Sequence, residues 1–156
     1  MKDNRVLLGF SGGIDSFAAV GLLQAAGYHV TALTLDMRGD SALLEKARLR
    51  AGTLGIPWRM RSVRERFERE VVDYFTDSYF RGRTPAPCTR CNSRIKWPCL
   101  AAEADALGIR HIATGHYFCI TSAGGKRYVT RAADNRKDQS YYLWDLPQEI
   151  LDRVLT

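Results

Sequence analysis

The fold is decided by the stretch Gly9-Phe10-Ser11-Gly12-Gly13-Ile14-Asp15-Ser16. It lies between an apolar run at residues 5–10, typical of a buried strand, and an Ala- and Leu-rich run at residues 15–26, which predicts a helix. Glycines let a backbone approach a ligand closely, and a helix N-terminus carries partial positive charge that favours anions. The sequence therefore predicts a strand–loop–helix unit whose loop binds phosphate.

Asp15 needs a separate explanation within this loop. Phosphates would repel its carboxylate unless a divalent cation lay between them, so we interpret Asp15 as a ligand of Mg²⁺. Ser11 and Ser16 offer hydroxyl donors. The alternative is that Asp15 and Ser16 only cap the helix after a tight turn. The loop contains no lysine and no final Gly-Lys-Ser/Thr, which argues against a Walker loop and kinase-type phosphoryl transfer.

The alternation of strand and helix continues outward from this unit. Strand-like runs at residues 30–35, 58–61 and 109–114 alternate with helical patterns at residues 41–54, 63–80 and 92–107. This order predicts an α/β fold, an open and mostly parallel sheet with helices on both faces. All 156 residues are expected to form a single domain.

The pattern changes after Gly115. Residues 117–121 and 128–131, joined across two glycines, predict a small β-hairpin near the C-terminus. Pro147 is expected to begin a terminal helix that is still running at Leu155.

The charge balance points to polyanionic partners. There are 23 Lys and Arg residues against 17 Asp and Glu, a formal charge of +6, which favours nucleic acid or nucleotides. No apolar run approaches the roughly 18 residues that span a bilayer, and no signal peptide is evident, so we expect a cytosolic protein with no membrane partner and favour a monomer. Four cysteines in such a chain are interpreted as free for chemistry or metal.

A second chemical signal lies at residues 82–97. Two prolines stiffen a loop before Asn92, which we expect to cap the next helix, and five cations without an acid lie between Arg81 and Lys96. Phosphate contacts fit such a basic surface. A thiol beside cations and near a helix N-terminus should have a lowered pKa, so Cys91 is a candidate nucleophile.

Two alternatives compete for these cysteines. Cys88, Cys91 and Cys99 have a spacing that could bind zinc or an iron–sulfur cluster. They could also be buried and inert, the interpretation we favour for Cys99 and Cys119 taken singly.

The glycine-rich loop resembles the Ser-Gly-Gly-x-Asp-Ser loop of the PP-loop ATP pyrophosphatases. Together with residues 82–97, the stretch Ala113-Thr114-Gly115-His116-Tyr117 and the stretch at residues 134–143, the resemblance narrows to the tRNA-specific 2-thiouridylase family. It covers the chain from Val6 to about Leu155. One departure is Ala86, which stands where asparagine is common in the family.

The resemblance implies a role for each matching residue. ATP phosphates would be bound by Gly9, Phe10, Ser11, Gly12, Gly13, Ile14, Asp15 and Ser16. Leu35 and Gly115 would line the adenine and ribose pocket. Ala86, Pro87 and Cys88 would face the target base, with Cys91 as the catalytic cysteine. Lys137, Asp138 and Gln139 would contact tRNA.

Residue chemistry supports some of these roles on its own terms. Gly115 follows a buried strand, at the edge where ligands of parallel sheets gather. His116 is interpreted either as a ligand-facing group or as a backbone-bonded one. Lys137 near Tyr141 and Tyr142 suits RNA, where cations meet phosphate and rings stack on bases, but a charged turn before a buried aromatic strand is the alternative.

The implied function is adenylation by ATP and Mg²⁺ of the C2 carbonyl of the wobble uridine in tRNA, before sulfur from a donor or persulfide relay protein replaces the oxygen. The family continues with a central region and a C-terminal β-barrel that are expected to be absent from these 156 residues, together with the persulfide-carrying cysteine. Two other functions stay open: a PP-loop amidating or thiolating ligase with another substrate, and a non-catalytic nucleotide- or RNA-binding remnant.

Overall fold

A four-stranded parallel sheet forms the centre of the fold in the computed structural model, which describes residues 3–156. The strands are β1 (Arg5–Gly9), β2 (His29–Asp36), β3 (Trp58–Ser62) and β4 (His111–Thr114), in the order β3-β2-β1-β4. Gly9, the last residue of β1, pairs with Leu33 of β2 and with Thr114 of β4. Because the strands run in one direction, their C-terminal ends meet at a single edge, where ligands of such sheets bind.

Helices cover both faces of this sheet, which confirms the predicted α/β fold. On one face, Val6 and Leu8 pack with helices α1 (Ile14–Ala25) and α2 (Ser41–Thr53). On the other face, Leu7 packs against residues of two further helices described below. Side chains of a strand alternate between faces, so one short strand contributes to two cores.

Two longer helical segments each contain a π-helical turn. Residues 64–80 comprise α3 (Arg64–Phe67), a π-helical turn (Glu68–Asp73) and α4 (Tyr74–Phe80). Residues 87–106, here called the cysteine helix, comprise α5 (Pro87–Cys91), a π-helical turn (Asn92–Lys96) and α6 (Trp97–Ala106). Pro98 lies two residues after the end of the second π-helical turn, and a proline inside a helix removes one hydrogen bond and crowds the preceding turn.

The cysteine helix corrects two sequence predictions. It begins at Pro87 rather than Asn92, because proline is well suited to the first helical turn. Cys88 and Cys91 therefore lie on a helix, not in a loop. Asn92 does not cap it, since its Nδ2 donates within the helix to the carbonyl oxygen of Cys88 at 3.0 Å.

The predicted hairpin is present, with slightly shifted bounds. Strands β5 (Cys119–Ala123) and β6 (Lys126–Thr130) pair in antiparallel fashion. The turn between them is formed by Gly124 and Gly125, whose φ angles of 56° and 75° are in the region that favours glycine.

The prediction of a long terminal helix was wrong. Helix α7 (Gln148–Leu151) spans one turn, and a short turn then leads to Val154, which bridges to Ile112 of β4. The guanidinium of Arg127 donates to the carbonyl oxygens of Leu151 at 2.7 Å and Val154 at 3.2 Å. The residues after α7 therefore pair with the edge strand β4 instead of continuing the helix. Across residues 3–156, no helix has the length and apolar character that crossing a bilayer requires.

Candidate functional site

A cavity of about 680 Å³ opens at the edge where the parallel strands end. This volume is within the usual range for small-molecule sites. Of the residues assigned by resemblance, those that line it are Gly9, Phe10, Ser11, Asp15, Ser16, Leu35, Gly115 and Gln139. The glycine-rich loop (residues 9–16) and the predicted pocket residues are therefore brought together.

The loop presents the start of helix α1 without a side-chain cap. The N-cap is Gly13, and no side chain accepts a capping hydrogen bond there. Ser11 Oγ accepts from the Gly13 amide at 3.2 Å and lies 3.3 Å from Ser16 Oγ, which donates to the Gly13 carbonyl at 3.0 Å. Asp15 and Ser16 occupy the first turn, so the alternative in which they cap the helix was wrong. Uncapped first-turn amides are suited to an anion.

Two glycines allow the close packing that fixes this loop. A Cβ on Gly12, whose φ is 70°, would lie 2.8 Å from the Cα of Ala47 in α2. A Cβ on Gly115 would lie 2.8 Å from the backbone nitrogen of Ser16. Arg50 of α2 also donates to the Gly12 carbonyl. The loop is thereby held between α2 and the end of β4.

Tyr117 connects the glycine-rich loop to residues 137–139. Its hydroxyl donates to Asp15 Oδ1 at 2.6 Å, and the neighbouring carboxylate raises the pKa of the phenol. Lys137 Nζ lies 5.1 Å from the centroid of the Tyr117 ring, a cation–π distance. Gln139 accepts from the Tyr117 amide at 3.0 Å and donates to its carbonyl at 2.8 Å. Of the residues assigned to tRNA, Gln139 thus lines the cavity, and Lys137 contacts the ring that is hydrogen-bonded to Asp15.

Asp138, the third residue assigned to tRNA, is engaged within its own segment. Its carboxylate accepts from the Ala132 amide and from the Ser140 hydroxyl, both at 2.8 Å, and these bonds lower its pKa. Beyond it, Tyr141 and Tyr142 form part of an exposed 3₁₀ turn with their rings in edge-to-face contact. The alternative of a buried aromatic strand was therefore wrong.

The structure adds cavity residues to which the sequence analysis gave no role in a pocket. These are Leu33, Thr34, Asp36, Met37, Arg38, Asp40, Leu43, Leu44, Lys96, Leu100 and Thr114. Asp36 is buried at the end of β2, where Arg64 Nη2 lies 2.5 Å from Oδ2 and the Gly39 amide donates to Oδ1 at 2.7 Å. The Arg64 guanidinium lowers the pKa of Asp36. The available signal was a carboxylate directly after an apolar strand.

His116 also lines the cavity, which supports the ligand-facing interpretation. Its Nδ1 lies 2.9 Å from the hydroxyl oxygen of Thr114. Burial lowers its pKa from 6.5 to about 4, and the charge of Lys96 acts in the same direction. The imidazole is therefore neutral at pH 7.

The environment of Cys91 differs from the one predicted from the sequence. Cys91 is buried, 7% exposed, and packs with Val71, Ile95 and Cys99. Burial raises the pKa of the thiol, and the charge of Lys96 offsets this only in part, so the predicted lowering was wrong. The expectation placed Cys91 at a helix start, but the helix begins four residues earlier.

The cysteines are not grouped as metal ligands. All four are free thiols; Cys88 is exposed, whereas Cys91 and Cys99 lie in the core. Within residues 3–156 there is no group of three or more His, Cys, Asp or Glu placed to bind a metal ion. Cys88 and Cys91 are also outside the cavity, as are Ala86 and Pro87, whereas Lys96 of the same helix lines it.

The sheet order and the uncapped glycine-rich loop beside a cavity define an α/β domain of the PP-loop, adenine nucleotide α-hydrolase-like class. Residues 4–156 match the family model described as tRNA methyl transferase HUP domain, and the chain belongs to that family. Among its curated relatives is tRNA-specific 2-thiouridylase MnmA 2 of Phocaeicola vulgatus, 47% identical over 99% of this chain and 45% of that protein. MnmA 1 of Bacteroides fragilis is 48% identical over 99% of this chain and 43% of that protein. The chain thus spans less than half the length of these relatives.

Solved structures share the fold at lower identity. A predicted subunit of tRNA methyltransferase from Methanocaldococcus jannaschii superposes with a TM-score of 0.55 at 20% identity, over 72% of this chain and 53% of that one. An NH3-dependent NAD synthetase from Campylobacter jejuni gives a TM-score of 0.52 at 21% identity, over 75% of this chain and 49% of that one. At such identities the likeness concerns the fold alone.

Proposed function

We propose that this domain binds ATP and transfers AMP to the C2 carbonyl oxygen of a uridine in tRNA, the activation step of 2-thiolation. The observation that carries the proposal is the uncapped start of α1, with its glycine-rich loop, facing a cavity of nucleotide size. The choice of uridine in tRNA as the substrate, and of sulfur as the atom that is introduced, is supported by relatives named tRNA-specific 2-thiouridylase.

The cavity residues fit ATP as a substrate. The first-turn amides of α1 and the hydroxyls of Ser11 and Ser16 would bind its phosphates. Leu35, near the end of β2, and Gly115, directly after β4, lie on either side of β1 and would contact the adenosine. A side chain larger than hydrogen at Gly115 would push into the first turn of α1, so the cradle depends on this glycine.

Asp15 fits a magnesium ion bound between the loop and the phosphates. Its side chain is exposed at the cavity and its Tyr117 hydrogen bond uses Oδ1. Carboxylate oxygens are typical Mg²⁺ ligands, and such an ion would offset the negative charge of the phosphates.

In the proposed activation, the uridine oxygen attacks the α-phosphorus of ATP. The bond from this phosphorus to the bridging oxygen breaks, and pyrophosphate leaves with the electron pair. The loop amides are fixed in position before the reaction, so they stabilise the developing charge without rearranging. His116, neutral at pH 7, adds no positive charge there.

The sulfur step would use a protein persulfide as donor. Its terminal sulfur bonds to C2 and AMP leaves. The Cys91 thiolate then attacks the donor's inner sulfur, which releases the 2-thiouridine and leaves a disulfide for a thiol reductant to reopen. Because Cys91 is buried here, this role requires the cysteine helix to shift when RNA binds.

Two measurements test the proposal in sequence. Calorimetry of the purified chain with Mg²⁺ and ATP should show binding, whereas Gly115→Ala should abolish it. Pyrophosphate release should then depend on tRNA that lacks the 2-thio group, with the same tRNA already thiolated as the matched control. Binding of ATP without any tRNA-dependent turnover or tRNA binding would reject the thiouridylase assignment and favour another PP-loop substrate.

A further inference from the structure

Lys96 is a cation inside the cavity that the glycine-rich loop does not supply. The loop contains no lysine, and the basic residues that line the cavity are Arg38 and Lys96, together with the neutral His116. Arg38 is exposed, whereas Lys96 is half-buried on the cysteine helix. One turn further along that helix, Leu100 also lines the cavity, so this face of the helix is directed toward it.

The carboxylates of the cavity are already engaged by other groups. Asp15 accepts from Tyr117 at 2.6 Å, and Asp36 is paired with Arg64 at 2.5 Å. Asp40 accepts from the Leu43 amide at 2.9 Å and caps α2. Among the residues that the structure describes, Lys96 takes part in no ion pair. Its ammonium group is therefore available to an anion that enters the cavity.

The charge of Lys96 acts on one group that lines the cavity and on one group in the core. Its charge lowers the pKa of His116, which lines the cavity, and acts in the same direction on Cys91, which lies in the core on the same helix. Coulombic effects of this kind fall off with distance, so Lys96 lies near both groups. It is the residue through which the cysteine helix brings positive charge to the cavity.

We propose that Lys96 is a further catalytic residue that contacts the phosphates of the bound nucleotide. It supplies, from the cysteine helix, the cation that a Walker loop carries within its own sequence. As the bond to the α-phosphorus breaks, negative charge moves onto the leaving pyrophosphate, and a fixed cation stabilises that charge. This inference rests on the proposed function, because it takes ATP as the ligand.

The experiment compares Lys96→Met with Lys126→Met. Both remove one positive charge, but Lys126 is exposed on the hairpin and outside the cavity. Calorimetric titration with Mg²⁺-ATP and, separately, with adenosine distinguishes phosphate from base and ribose contacts. Lys96→Met should weaken ATP binding by about 10- to 100-fold, as expected for loss of a charged hydrogen bond, and leave adenosine binding unchanged. Lys126→Met should match the wild type, and Lys96→Arg should recover part of the loss.

The outcomes separate the two proposals. Equal ATP affinity in Lys96→Met and the wild type would overturn the role of Lys96 and leave ATP binding intact. An equal loss of ATP and adenosine binding would show a structural role and also overturn it. If the wild-type chain binds no ATP, the proposed function and this inference both fail. Lys96→Gln serves as the second variant if circular dichroism shows that Lys96→Met does not fold.

Discussion

The hydroxyl of Tyr117 lies 2.6 Å from Oδ1 of Asp15, although the two residues are 102 positions apart in the chain. The contact joins the first turn of α1 to the segment that follows β4. Lys137 lies over the same ring and Gln139 bonds to the same backbone. The residue proposed to bind magnesium and the segment proposed to contact tRNA therefore meet at one tyrosine.

Asp15→Asn should lower the pKa of Tyr117. In the wild type this pKa is raised above its ordinary value of 10.0, chiefly because the phenol donates to the Asp15 carboxylate. A neutral amide stabilises the protonated phenol less than a carboxylate does, so ionisation should occur at lower pH. NMR titration of ¹³Cζ-labelled tyrosine measures this, with Tyr117→Phe to assign the resonance. An unchanged titration curve in Asp15→Asn would show that the hydrogen bond is not populated in solution.

Gly115→Ala should destabilise the domain by about 1–3 kcal/mol, the usual cost of inserting a methyl group into a closely packed site. The new Cβ would lie 2.8 Å from the Ser16 backbone nitrogen, so the start of α1 must move. Gly21→Ala, within α1 itself, is the matched control, because a Cβ at Gly21 would meet nothing within 4 Å. Urea denaturation should show the control unchanged or more stable by up to about 1 kcal/mol. Equal effects of the two substitutions would contradict the close approach.

The outline of the fold could be predicted from the sequence because it depends on local patterns. The loop at residues 9–16 has apolar strand residues before it and helix formers after it, and the same alternation recurs. Gly115 was also predictable as a pocket residue, since it follows a buried strand in a sheet whose strand ends meet at one edge.

The state of the cysteines could not be predicted in this way. The sequence shows cations near Cys91, but it does not show that Pro87 starts the helix and turns Cys91 into the core. Burial depends on contacts with Val71 and Ile95, which only the three-dimensional fold brings together. Lys96 was predicted only as part of a basic surface, because the sequence does not show that its face of the helix is directed toward the cavity.

Stability should fall as the pH is lowered from about 6.5 to about 4 because of His116. Its pKa is about 4 in the folded protein and 6.5 as the ordinary value, so in this window the unfolded chain binds a proton that the folded protein does not. The slope from one such group is at most about 1.4 kcal/mol per pH unit. The urea midpoint should therefore depend less steeply on pH across this range in His116→Gln than in the wild type. A His116→Gln curve with the wild-type slope would assign the effect to other groups.

Arg64→Met should lower the urea midpoint more than Arg48→Met. Arg64 is the ion-pair partner of Asp36, whose side chain is only 2% exposed, so its removal leaves a buried carboxylate without its cation. Arg48 pairs with Glu45, where the two side chains are 55% and 53% exposed, and such surface pairs contribute little. Each variant loses one arginine from an ion pair, so the two variants have the same change in net charge. Equal midpoints would show that solvent reaches Asp36.

Cys88 should react with iodoacetamide at least about tenfold faster than Cys91 in the free chain, since the thiolate is the reactive form and access is required. Cys88 is exposed, whereas Cys91 is buried and its pKa is raised by that burial. Trypsin cuts after Arg90 and so places the two thiols on different peptides, which mass spectrometry quantifies over time. Cys99, also buried, is the internal reference for a protected thiol. Raising the pH should increase the rate at Cys91, because more thiolate forms. Labelling of Cys91 as fast as Cys88 at pH 7 would mean that the cysteine helix already opens without RNA, and the proposed shift on RNA binding would then be unnecessary.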